Sequence, residues 1–138
     1  MTQMRPLETS SASGDIGRVI QDDHNRILAL YRLYLDSPPD SRRTVVDGIL
    51  HQLTLHLDKE ERLLQGFRMP KAKSRRTLGD VELEHEKVKV MILELQQSEA
   101  DDDQALDEFF EDMMQSVRAL FMIEERDLLP LRERSWNA

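Results

Sequence analysis

The feature that constrains this chain most is a periodicity. In four stretches apolar residues recur every three or four positions, the spacing of one face of an α-helix, and turn-forming residues separate the stretches. The first runs from about 15 to 35 and carries Ile16, Ile20, Ile27, Tyr31 and Tyr34. Asp15 can cap its start, and "DSPPD" at 36–40 ends it, because Pro38 and Pro39 cannot continue a helix. The second runs from 40 or 41 to 64 or 65 with Val45 or Val46, Ile49, Leu53, Leu57 and Leu63 or Leu64, and Gly66 is its stop. The third opens at "TLGD", 77–80, where Thr77 and Asp80 stand near capping-box spacing. Val81, Val88, Ile92 and Leu95 are its stripe, and "SEADDD" at 98–103 ends it. The fourth runs from about 102 to 128 or 129 with Leu106, Phe110, Met113, Val117 and Leu120 or Phe121, stopped by Pro130. Four helices of about 20 to 25 residues joined by short links predict an all-α, up-down-up-down four-helix bundle over 15–130. Residues 1–14 read as a polar, flexible tail and 131–138 as a C-terminal extension, with Trp136 placed to plug the end of the bundle.

Composition agrees and excludes. The chain has 138 residues, enough for one domain, and 39% of them are hydrophobic. Glycine and proline number only five each, and strand formers are scarce. The net charge of −8 argues against sequence-independent binding to nucleic acid. The single basic patch, "PKAKSRRT" at 70–77, reads as a solvated loop. There is no cysteine, so disulfides, thiolate metal sites and cysteine nucleophiles are excluded, which fits a cytoplasmic protein. No apolar run approaches the ~20 residues of a membrane span, and the N-terminus lacks an apolar signal core. No Ser/His/Asp set, glycine-rich phosphate loop or CxxC pair is present, so those enzyme classes have no foothold.

Each apolar stripe is then broken by a titratable side chain. His24 stands among Ile16, Ile20, Ile27 and Tyr31, and His56 and Glu60 stand among Ile49, Leu53 and Leu63. His85 sits between Val81 and Val88, and Glu124 follows Met113, Val117 and Leu120. A buried, unpaired carboxylate is penalised by several kcal/mol. Two on facing helices repel unless one takes a proton or a cation lies between them. Neutral imidazoles and carboxylates are natural ligands of a divalent metal, which answers the whole set at once. His56 and Glu60, one turn apart on one face, can reach one centre. One core histidine alone is more often a hydrogen-bonded packing residue, and one glutamate alone is often solvated at a stripe's edge. Three histidines and two glutamates spread over four helices weigh toward metal.

Four pieces, "DDHNRI" (22–27), "HLDKEERLL" (56–64), "ELEHEKV" (82–88) and "EERDLLP" (124–130), make the chain resemble the hemerythrin-like, HHE cation-binding family over about 15–130. The resemblance implies a four-helix bundle around a non-haem, usually di-iron, centre that binds or senses oxygen, nitric oxide or iron. It places His24, His56, Glu60, His85 and Glu124 at ligand positions, with the two glutamates bridging. It departs at Leu120, where the family has a histidine four residues before the last glutamate. That leaves two irons with an open position, one iron, or none in a vestigial site. It also leaves three functions: a binding or sensing protein, an iron-dependent enzyme acting on peroxide or oxygen, and a metal-free helical interaction module. Tyr31 is a remote substitute ligand, two turns from His24. His51, turned about 140° from His56, reads as a surface residue. Asp22 or Asp23 can orient a ligand or lie solvated. Met91, Met113, Met114 and Met122 read as core filler.

Overall fold

The computed structural model describes residues 12–65, 71–98 and 103–130. Four helices follow one another: α1 (Ala12–Asp36), α2 (Pro39–Gln65), α3 (Ala72–Gln97) and α4 (Asp103–Ile123). A π-helical turn, Glu124–Leu128, extends the last. No strand occurs among the described residues. The end of α1, the start of α2, the end of α3 and the start of α4 meet at one pole. There Arg42 Nη1 donates to Asp107 Oδ2 at 3.0 Å, and a depression brings together Pro39, Val46, Leu95 and Leu106. At the other pole Gly17 and Arg18 lie beside Leu129 and Pro130, and Leu64 beside Leu78. The direction therefore alternates from helix to helix, as the short links require.

The breaks are local chemistry. Past Asp36 the Ser37 amide and hydroxyl donate back to the carbonyls of Tyr34 and Leu33. Pro39 then takes the first position of α2, where its missing N–H has no partner to lose. Two predicted starts are wrong. Asp15 lies inside α1, which already runs from Ala12. α3 opens at Ala72, so Thr77 and Asp80 form no capping box and most of the basic patch is helix rather than loop. Ala72–Arg76 contains no glycine or proline, and Ser74 closes the first turn by donating to the Lys71 carbonyl at 2.8 Å. Thr77 spends its hydroxyl on the Lys73 carbonyl instead. Lys71, Lys73, Arg75 and Arg76 are exposed, as a solvated patch would be. The expectations for residues 1–11, Gly66, 99–102 and 131–138, Trp136 included, lie outside the described residues.

The core runs along the axis. Its apolar half joins Tyr34, Val46, Ile49, Leu50, Ile92, Leu95, Phe110, Met113 and Met114. Tyr34 packs on Phe110 with ring centroids 4.7 Å apart. Tyr31 stacks on Tyr34 within this aromatic group, half-buried. Met113 and Met114 are core as expected, whereas Met122 is 59% exposed and fills nothing. No helix among the described residues is long and apolar enough to cross a membrane.

Candidate metal centre

The other half of the core is polar. His24, His56, Glu60, His85 and Glu124 are all buried to 2% exposure or less. α1 brings His24, α2 brings His56 and Glu60 from successive turns, α3 brings His85, and the π turn brings Glu124. In that turn the Leu129 amide donates to the Glu124 carbonyl five residues back. One extra residue is thereby accommodated, a feature frequent at functional sites.

The two carboxylates are shared between two groups of nitrogens. Glu60 Oε2 lies 3.0 Å from His56 Nε2 and 3.8 Å from His24 Nε2, while its Oε1 lies 3.2 Å from His85 Nε2. Glu124 Oε1 lies 3.0 Å from His24 Nε2 and its Oε2 2.7 Å from His85 Nε2. Four of these buried atoms, His24 Nε2, His56 Nε2, Glu60 Oε2 and Glu124 Oε1, make no hydrogen bond. Buried polar atoms rarely stay unsatisfied. Here the four crowd together, and one donor atom from each of His24, His56, Glu60 and Glu124 lies within 4.8 Å of the others, so the group could hold a metal ion.

Behind the centre each histidine is held by its other nitrogen. His24 Nδ1 meets Glu125 Oε2 at 2.6 Å, His56 Nδ1 meets Asp23 Oδ2 at 3.2 Å, and His85 Nδ1 meets Glu61 Oε2 at 3.4 Å. An ionised carboxylate only accepts, so each contact places a proton on Nδ1 and leaves Nε2 for the centre. Asp23 is clasped in turn by Lys59 at 2.8 Å and Arg26 at 3.1 Å, and Glu61 by Lys89. Asp23 was one of two acids expected to orient a ligand; Asp22 is exposed. Glu61 and Glu125 were not anticipated. A signal was available: each orienting acid is the chain neighbour of a centre residue, in "DH" at 23–24 and in the two "EER" repeats. Neighbours on a helix diverge by about 100°, so the second acid reaches the histidine of an adjacent helix. The Phe121 ring closes one side, stacked on His24 at 3.8 Å and edge-on to His56 at 5.6 Å. His51 is exposed.

Without metal the centre neutralises itself. Burial pushes the His24 imidazole down, but Glu124, Glu60 and Glu125 outweigh it and raise its pKa to about 9. His85 is likewise lowered by burial and raised more strongly by Glu124 and Glu60, to about 10. Burial raises both carboxylates, and contact between them raises Glu124 further. Glu60 ends well below the usual carboxylate range, because its hydrogen bond with Glu124 and then its contacts with all three histidines outweigh burial. One of the two facing acids thus takes the proton, as their repulsion requires: Glu124 rises, and its hydrogen bond to Glu60, with the three imidazoles, keeps Glu60 ionised.

Comparison with family models, curated proteins and solved structures finds no match to this chain.

Proposed function

We propose that this chain is a hemerythrin-like non-haem iron protein whose centre accommodates two irons and serves to bind or sense oxygen, nitric oxide or iron. The observation that carries the reading is the set of four buried donor atoms without a hydrogen bond, drawn from two helices and the π turn. Such a cost in unsatisfied polar groups has a physical reason if a cation answers it. His24 and His56 would hold one ion with one oxygen from each glutamate, and His85 the other with the remaining two oxygens. When bound, iron supplies Lewis-acid and redox chemistry toward small ligands. The chain does the rest. Asp23, Glu61 and Glu125 fix the tautomers, Phe121 excludes water from the His24 and His56 side, and the buried carboxylates keep the charge of the centre low.

A second reading, an enzyme acting on peroxide or oxygen, draws on Leu120. With leucine there, the His85 side has one imidazole, and an open coordination position is what such chemistry needs. A metal-free interaction module stands against both.

The experiment is to purify the protein from iron-replete cells, count iron per chain and record near-ultraviolet charge-transfer absorption. Melting temperatures before and after chelation complete it. About two irons and a melting temperature that falls on chelation support the centre. No iron and an indifferent melting temperature sink it, and peroxide decay or oxygen consumption by the iron-loaded protein decides for the enzyme.

A further inference from the structure

We propose that the two metal positions are unequal: the His24/His56 position retains its ion, and the His85 position exchanges its ion through an acid-rimmed cavity between α2 and α3. This rests on the two-ion reading above and adds how occupancy would follow the supply of free divalent cation.

Three observations carry it. The first is donor count. His24 and His56 with one oxygen from each glutamate make four protein donors. His85 with the other two oxygens makes three. Fewer protein ligands mean weaker retention and more of the coordination sphere left to solvent.

The second is cover and support. Phe121 lies on both histidines of the first position. His24 and His56 are backed by carboxylates at 2.6 and 3.2 Å, and Asp23 is clasped by two cations. His85 has the longest outer contact, 3.4 Å to Glu61, and no described aromatic ring against it.

The third is the approach. His85 lines a cavity of about 350 Å³ with Leu64, Leu78 and Val81, and its rim carries Glu61, Glu82 and Glu86. Lys89 pairs with Glu61 at 2.6 Å and reaches Glu86 at 3.9 Å, one cation against three acids, and Glu82 and Glu86 are exposed. A smaller hollow of about 240 Å³ reaches the outer edge of His56, but there Arg26, Lys59 and Arg62 outnumber the one acid, Asp23. Like charge repels an incoming cation there, and opposite charge raises its local concentration at the His85 side.

The test uses the full chain and Co(II) alone. In stepwise addition to metal-free protein, the second equivalent should bind at least about tenfold more weakly than the first, a difference of about 1.4 kcal/mol. EDTA should strip the second equivalent first, and His85→Asn should stop the stoichiometry at one. The double variant Glu82→Lys, Glu86→Lys changes two exposed residues and should slow loading of the second equivalent several-fold at low salt. Arg62→Glu at the other hollow should leave that rate unchanged. Two equivalents that bind and leave together overturn the inequality, and an unchanged rate after charge reversal overturns the route. Binding of no Co(II) at all overturns the metal reading beneath it, so the two failures are distinct.

Discussion

The two halves of this core obey different rules. Around Phe110 the helices meet through Tyr34, Ile49, Met113 and Met114, and every contact there lowers the free energy of folding by removing apolar surface from water. Around Glu124 the same four helices meet through imidazoles and carboxylates that leave four buried atoms without a hydrogen bond. One half makes the fold. The other draws on the stability of the first to keep a polar cluster dry and in place, the pattern expected where function overrides local optimisation.

The largest test of that division is Phe110→Ala. The ring is 1% exposed and packs on Tyr34 and, at 6.1 Å, on Tyr31. Its loss should destabilise by about 3–5 kcal/mol. The effect should be the same with and without metal, read by chemical denaturation in both states. A loss that differs between the two states by more than about 1 kcal/mol would mean the halves are coupled, contrary to the additivity of distant sites.

Next comes pH, which should act on the polar half alone. In metal-free protein His24 and His85 hold their protons more tightly folded than unfolded, with pKa values raised from 6.5 to about 9 and about 10. Their contribution is complete below pH 6.5 and drains away as pH rises through about 9 and then about 10. Glu124, also raised, acts in the same direction. Glu60 acts oppositely: its lowered pKa stabilises at neutral pH and is lost as pH falls through it. A shift of the size seen at His24 corresponds to roughly 3 kcal/mol, and the His85 share does not simply add because both histidines face Glu124. Denaturation in EDTA at increasing pH should show the decline, and the Phe110→Ala difference should stay constant across it. A metal-free protein equally stable from pH ~6 to ~10 would show that the imidazoles do not balance the acids.

How much of this was legible in the sequence follows the same division. The stripes gave the four helices and the bundle, because burial imposes a helical period on every element. They also exposed the five centre residues, since a histidine or glutamate on such a stripe breaks the period. The start of α3 was missed: Thr77 and Asp80 look like a cap, but Ala72–Arg76 can be helical on its own and nothing forces a later start. Glu61 and Glu125 were missed because a residue about 100° round from a stripe looks like any solvated charge until the neighbouring helix is in place. The π turn at Glu124–Leu128 leaves no mark in the periodicity, since five residues are too few to shift it visibly.

The smallest of these changes, Leu120→His, probes the border between the two halves. Leu120 is 1% exposed and belongs to the apolar cluster, yet it stands one turn before Glu124. Leu120 and Phe121 are about 100° apart on α4, with Glu124 between them in direction. Phe121 covers His24, so Leu120 lies on the other flank, toward α3 and His85, where the donor count is lowest. The substitution replaces a buried leucine with a smaller polar ring. Without metal it should destabilise by about 2 kcal/mol, from lost burial and an unsatisfied ring nitrogen. With iron the new imidazole should offset much of that loss and raise iron occupancy, because a ligand added to the folded state alone stabilises it by mass action. The measurement is paired: iron per chain and melting temperature, with and without iron, for the wild type and the variant. A variant that binds no more iron and is destabilised equally in both conditions would place Leu120 wholly in the apolar half. The border of the centre would then run through Glu124 itself.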